Sequence, residues 1–146
     1  MKIEIKIDEN CAEPKIIVVT DKINEEINDI LRKLSAEQPQ ILAGFKDEKV
    51  TALDLNQIFR IYASGGKVYA VTDSDTYILR LRLYETEQRL ANQSFVKISN
   101  GEIINLKKVK GFDLSFIGTI CVSLSNDTVS YVSRRYVSKI KQLLGI

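Results

Sequence analysis

Two hydrophobic periods divide this chain. The opening residues, Lys2-Ile3-Glu4-Ile5-Lys6-Ile7, alternate strictly between charge and isoleucine. That is the period-2 mark of a half-buried strand. Lys15-Ile16-Ile17-Val18-Val19-Thr20 is a more continuously apolar run and predicts a second strand, with Pro14 just before it where no ladder N–H is needed. The period then changes. Ile23, Ile27, Ile30, Leu31 and Leu34 recur at helical spacing, with Glu25, Glu26, Asp29, Arg32 and Lys33 around the other face. Thr20 or Asp21 can cap this helix, its acidic first turns suit the dipole, and Gln38-Pro39-Gln40 ends it. Residues 1–38 therefore read as a small β-β-α unit. It is too small to be comfortably stable alone, so its sheet edge or helix stripe is expected to pack on the rest of the chain or on a second subunit.

From Ile41 the pattern is strand after strand: 41–46, 49–54, 57–63, 67–72, 76–81, 95–99, 102–106, 108–112, 117–124 and 128–133. Turn signals punctuate the runs at Asp47-Glu48, Ser64-Gly65-Gly66, Asp73-Ser74-Asp75, Asn100-Gly101 and Ser125-Asn126-Asp127. Asn100-Gly101 is the strongest of them, because both residues tolerate positive φ. A short helix over about Arg82–Ala91 interrupts the strands, and a second closes the chain from Arg134. Short strands at even spacing argue a mainly β domain over 41–146, a sandwich or several small sheets, and not a parallel α/β fold.

Charge makes the two parts differ in kind. Residues 1–56 hold eight Lys/Arg against twelve Asp/Glu, a net of −4, and residues 57–146 hold thirteen against seven, a net of +6. An anionic partner is thus expected for the second part alone. Its basic residues fall at loops and corners: Lys67 after the Gly65-Gly66 turn, Lys97 before Asn100-Gly101, and Lys107, Lys108 and Lys110 on one strand approach. Arg134 and Arg135 stand side by side where the last strand passes into the last helix. Helix starts favour anions through their outward N–H groups, and arginine forks match phosphate or a guanine edge. Each of these residues alone reads as solvated surface. The set reads as a β frame carrying basic loops toward nucleic acid.

Catalysis finds little support. The chain has no histidine, which removes the commonest general base and metal ligand. Asp73-Ser74-Asp75 reads as a hairpin turn, and no phosphate loop, zinc spacing or metal-ligand cluster is present. No enzyme activity, cofactor, metal or small-molecule substrate is expected. Cys11 and Cys121 lie far apart without ligand partners, and no apolar run approaches the ~20 residues of a membrane span. The charged residues Lys2, Glu4, Lys6, Asp8 and Glu9 break up any signal-peptide core. A reduced, cytoplasmic protein is the expectation.

Four stretches carry a resemblance to a known family. Ile58-Phe59-Arg60-Ile61-Tyr62-Ala63 with Ser64-Gly65-Gly66-Lys67-Val68 is the first. Tyr77–Leu81 with Leu83–Leu90 is the second, Phe95–Leu106 the third, and Tyr131–Gly145, containing Val132-Ser133-Arg134-Arg135-Tyr136, the fourth. In order and spacing, residues 41–145 resemble the LytTR family of bacterial DNA-binding domains. The resemblance implies about ten short strands in three small sheets, with a short helix and a C-terminal helix. It implies a transcription regulator that binds paired direct repeats in double-stranded DNA as a homodimer, through loops entering successive major grooves. It sets base- and backbone-contacting roles on Lys67, Asn100 and Arg135, with Lys97 and Arg134 as phosphate neighbours. Ser99 stands where the family usually has histidine, and Asn100-Gly101 replaces its Lys/Arg-Ser pair, so this loop's base preference departs from the family's.

The candidate DNA-binding residues are therefore Lys67, Lys97, Ser99, Asn100, Lys107, Lys108, Arg134 and Arg135. Family members often carry a receiver domain of roughly 120 residues, for which the segment before Ile41 has no room. A stand-alone regulator is expected, of a type often restrained by a small membrane protein. Two other readings remain: an RNA or single-strand module stacking bases on Tyr62, Tyr69, Tyr77 and Tyr131, and a protein-interaction adaptor working through the N-terminal unit.

Overall fold

The computed structural model of this chain describes residues 1–35, 41–91 and 93–146. It divides into two compact units, Met1–Ala36 and Glu37–Ile146. The expected helix stop at Gln38-Pro39-Gln40 lies outside the described residues.

Among its described residues the first unit holds one regular element, helix α1 over Glu25–Ser35. Its cap is Asn24, whose side-chain oxygen accepts the Ile27 N–H at 3.0 Å, and not Thr20 or Asp21. Thr20 is engaged one turn earlier, its hydroxyl donating to the Lys22 carbonyl at 2.8 Å. The two strands expected over 2–7 and 15–20 do not form ladders: both segments run without strand pairing. Ile3, Ile5 and Ile7 are 86%, 88% and 89% exposed. Alternation sets which face is apolar but supplies no partner, and an isolated two-stranded pair is marginal in water. The segments nonetheless flank α1. Residues 1–6 and 15–19, with Ile27, Ile30 and Leu34, line a cavity of about 570 Å³.

Among its described residues the second unit carries ten strands: β1 Ile41–Lys46, β2 Lys49–Asp54, β3 Ile58–Ser64, β4 Lys67–Thr72, β5 Thr76–Leu79, β6 Phe95–Ser99, β7 Glu102–Asn105, β8 Val109–Asp113, β9 Ile120–Leu124 and β10 Val129–Val132. Helix α2 spans Leu83–Arg89 and helix α3 spans Arg134–Leu144. The strands gather in two antiparallel sheets where three were expected. One has seven strands in the order β2-β1-β5-β4-β3-β7-β6, the other three in the order β10-β9-β8. What fuses the β1–β2 hairpin to the larger sheet is the register pair Phe45↔Ile78. Gly44 permits that approach, since a Cβ there would meet Leu53 Cδ1 at 2.6 Å and Tyr77 Cβ at 2.9 Å.

Two cores follow from the two faces of the seven-stranded sheet. Ile58, Ile61 and Ile103 pack on one side with Leu83 and Leu90 from the α2 region. Phe59, Ile98 and Ile104 pack on the other with Ile120, Val122 and Leu124 of the small sheet and Ile140 of α3. Register shifts fall between Ile58 and Arg60 on β3 and between Lys97 and Ser99 on β6. On β6, Val96 and Ile98 share the face toward the small sheet by simple alternation. Between the layers Asn105, 1% exposed, is fully engaged. Its nitrogen donates to the carbonyls of Ile58 (2.9 Å) and Leu55 (3.4 Å), and its oxygen accepts from the Ser94 hydroxyl (2.7 Å) and the Lys107 N–H (3.1 Å).

Candidate nucleic-acid interface

Three loops far apart in sequence meet at one end of the domain, and backbone and side-chain hydrogen bonds hold them there. The β3–β4 turn is Gly65-Gly66, at φ 58° and 79°. Glycine takes both left-handed positions without strain, and this two-residue turn sets Lys67 directly opposite Ser64. The β6–β7 turn carries Asn100 and Gly101. Its Gly101 carbonyl accepts the Ala63 N–H at 2.9 Å, which ties the second turn to the end of the first hairpin. Within that turn the Ser99 hydroxyl accepts the Gly101 N–H at 3.3 Å. The third piece is the start of α3. The Ser133 N–H donates to the Ile98 carbonyl at 2.9 Å, and the Tyr136 hydroxyl donates to Asn100 Oδ1 at 2.9 Å.

These bonds bring Lys67, Ser99, Asn100, Arg134 and Arg135 together as a cluster. Lys67, Asn100, Arg134 and Arg135 are exposed, and Ser99 is half-buried. Ser133 caps α3 with no side-chain hydrogen bond; its carbonyl accepts the Tyr136 N–H at 2.8 Å, and the N–H groups of Arg134 and Arg135 at the helix start can face an anion. A half-buried ionic contact stiffens the platform below. Glu102 Oε2 lies 2.9 Å from Arg60 Nε and accepts the Ser130 hydroxyl at 2.7 Å, bridging the large sheet to β10. The Arg60 contact is a charge contact only, since its Nε has no partner at hydrogen-bond angle. The Arg60 guanidinium also sits 4.5 Å over the Tyr62 ring, which in turn stacks on Tyr69 with centroids 5.2 Å apart.

The other sequence candidates are not joined to this cluster by those hydrogen bonds. Lys107 and Lys108 form the single helical turn after the opposite end of β7, and the Lys108 ammonium lies 5.1 Å over the Phe59 ring. Lys97, half-buried on β6, lines a groove of about 420 Å³ with Glu87, Leu90, Lys139 and Leu143.

Two features were missed by sequence reasoning. Arg80 and Arg82 line a groove of about 610 Å³ together with Gly66 and Lys67, so the first loop has a basic flank. They sit in the connection from β5 to α2, where the sequence shows only an ordinary helix start. Arg80 is braced there, its guanidinium 3.9 Å over the Phe45 ring. The second feature is the loop between β8 and β9. Gly118, at φ 74°, sits under Arg134, whose Nε would be 3.4 Å from a Cβ at that position. Ile117 beside it is 99% exposed. The loop is pinned by the Thr119 hydroxyl, which donates to the Val132 carbonyl, and by Phe116 edge-on to Tyr131 at 5.8 Å. Asp113 anchors its other side by accepting the Ser115 hydroxyl and N–H, which hold its carboxyl below the usual range.

Among the described residues no group of histidine, cysteine or carboxylate side chains is placed to hold a metal ion, and no helix is long and apolar enough to cross a membrane. Both cysteines are free thiols, Cys11 exposed and Cys121 buried.

Comparison with known proteins meets this geometry. Residues 48–145 match the family model described as LytTr DNA-binding domain. An uncharacterized HTH-type transcriptional regulator of Staphylococcus aureus strain NCTC 8325 is 29% identical over 147 residues, covering 100% of this chain and 99% of the relative. The counterpart in the bovine strain RF122 matches to the same extent. In the present chain, strands β6 to β10 separate α2 from α3, so the described residues contain no helix-turn-helix pair. A solved LytTr DNA-binding domain from Bacillus cereus superposes with a TM-score of 0.70 at 21% identity, covering 73% of this chain and 98% of that one.

Proposed function

The chain belongs to the LytTr DNA-binding domain family, and from that premise we propose that it regulates transcription by reading direct repeats in double-stranded DNA as a homodimer. The observation that carries the reading is the single end of the domain on which Lys67, Asn100 and Arg135 converge through the Ala63–Gly101, Ser133–Ile98 and Tyr136–Asn100 hydrogen bonds. Protruding turns and a helix start, without a recognition helix, suit insertion into major grooves.

In this reading Arg135 donates its fork to a guanine edge, and Asn100 contacts a base with the face of its amide turned from Tyr136. Lys67, Arg80, Arg82 and Arg134 hold the flanking phosphates. Lys107 and Lys108 reach the backbone farther along the duplex. The Tyr62–Tyr69 stack supports this over single-strand binding, because each ring already spends one face on its neighbour.

Methylation protection on a promoter duplex tests it. Two protected guanine clusters in the major groove, in the same orientation and about one helical turn apart, are expected. Protection confined to the minor groove, or a single mirror-symmetric pair, would overturn the groove or the repeat arrangement.

A further inference from the structure

We propose that residues Lys2–Asp8 of two copies of this chain pair as antiparallel strands about a two-fold axis through Ile5. The proposal deepens the homodimer reading above, on which it rests; its two-fold relates residues 2–8 alone and sets no orientation for the two DNA-binding units on their direct repeats.

The segment has the chemistry of a strand and none of the pairing. Ile3, Ile5 and Ile7 remain 86%, 88% and 89% exposed. Lys2 and Glu4 already share the opposite face, with Nζ 3.2 Å from Oε1. An unpaired segment with a strand's alternation is a template for another chain. A row of three bare isoleucines is also what soluble proteins cover with a partner.

Charge decides which partner and which register. Residues directly opposite in an antiparallel pair share a face, and like charges there destabilise. With Ile5 opposite Ile5, Ile3 faces Ile7, Glu4 faces Lys6 and Lys2 faces Asp8, each twice by symmetry. Every charged pair is then of opposite sign and every apolar pair is isoleucine on isoleucine. Centring the axis on Glu4 instead sets Lys2 against Lys6 and Glu4 against Glu4. Centring it on Lys6 sets Glu4 against Asp8. Centring it on Ile3 keeps the signs but pairs only residues 1–5. Any axis between two residues puts isoleucine opposite charge. The Ile5 register thus pairs the longest stretch without a conflict, and its occupant is a second copy of the same segment. Isoleucines on one face of the new ribbon would add to the apolar set of Ile16, Ile17 and Val19, which are 72%, 70% and 92% exposed.

The test uses the full chain in sedimentation equilibrium. Lys6→Glu and Glu4→Lys should each weaken the dimer about tenfold, since each creates two like-charge pairs. The exchange of both residues in one chain should restore it. In a Cys11→Ser background, Ile5→Cys should form a disulfide dimer under mild oxidation and Glu4→Cys, facing Lys6, should not. A monomeric wild-type chain overturns the homodimer reading together with this interface. A wild-type dimer that ignores both single reversals, or that the double exchange fails to rescue, overturns this interface alone. It then assigns dimerisation to another surface, such as the helix stripe of Leu31 and Leu34. Unchanged far-ultraviolet circular dichroism in each variant separates loss of pairing from loss of fold.

Discussion

The Tyr136 hydroxyl and the Asn100 side-chain oxygen lie 2.9 Å apart, across 36 residues of sequence. The bond makes helix α3 and the β6–β7 turn one object. Arg135 precedes Tyr136 directly, so the same contact that orients Asn100 also sets the position of Arg135. Tyr136→Phe removes only the hydroxyl. It should cost about 0.5–1.5 kcal/mol of specific DNA affinity, with little change in thermal stability because the contact is exposed. Equal loss on specific and scrambled duplexes in a fluorescence titration would show that this bond does not orient a base-reading group.

Arg135→Ala and Asn100→Ala should each cost about 1–3 kcal/mol on the specific site and relax preference at the base each one reads. Competition between matched and single-base-altered duplexes measures this. If the ratio of the two affinities is unchanged in Arg135→Ala, that residue does not read a base.

Arg82→Ala and Lys67→Ala should behave differently. They line one basic groove, and as phosphate contacts they should weaken all duplexes alike and lower the slope of log affinity against log salt by about 1 each. Lys97→Ala should leave the slope unchanged, because Lys97 lines the groove beside Lys139 and Glu87 and not the exposed cluster. A reduced slope in Lys97→Ala would place that groove on the DNA path.

Asn105→Ala tests the scaffold. It leaves the carbonyl of Ile58 and the hydroxyl of Ser94 without their buried partner. At about 1–3 kcal/mol for each buried group left unsatisfied, the loss should be readily visible in urea unfolding followed by circular dichroism. Unfolding at the wild-type midpoint would mean that water replaces Asn105 without cost.

Asp113 gives a prediction in pH. The hydroxyl and N–H of Ser115 favour its charged form and hold its carboxyl below the ordinary carboxylate value. A lowered folded-state value means that the turn's contribution is present above the unfolded value and is lost as pH falls through the folded one. Ser115→Ala should therefore move the Asp113 titration upward toward an ordinary carboxylate, followed by NMR. An unmoved titration would assign the shift to another group.

Much of this was legible in the chain, for identifiable reasons. Strands β1 to β10 fall close to the expected runs because alternating side chains and turn residues such as Gly65-Gly66 are local signals; Asn100-Gly101 also turns the chain, but with neither residue at positive φ. The choice of Lys67, Asn100 and Arg135 rested on family resemblance, and the hydrogen bonds that tie their loops together join residues whose spacing carries no signal. What sequence reading missed depended on tertiary partners. The β1–β5 bridge that merges two sheets rests on the close approach at Gly44. Arg80 and Arg82 join Lys67 only after the β4–β5 hairpin folds back. The strands expected at 2–7 and 15–20 have the right period but no ladder, because period 2 names a face and leaves the partner unspecified.

The most direct measurement is fluorescence anisotropy of the full chain against three probes: a direct-repeat duplex, a scrambled duplex of equal composition, and one strand of the repeat alone, each over a range of salt. The direct-repeat duplex should bind most tightly, by about tenfold or more over the scrambled one, with affinity falling steeply as counterions are released. Equal binding to the scrambled duplex, preference for the single strand, or affinity indifferent to salt would contradict sequence-specific reading of duplex DNA by the Lys67, Asn100 and Arg135 face.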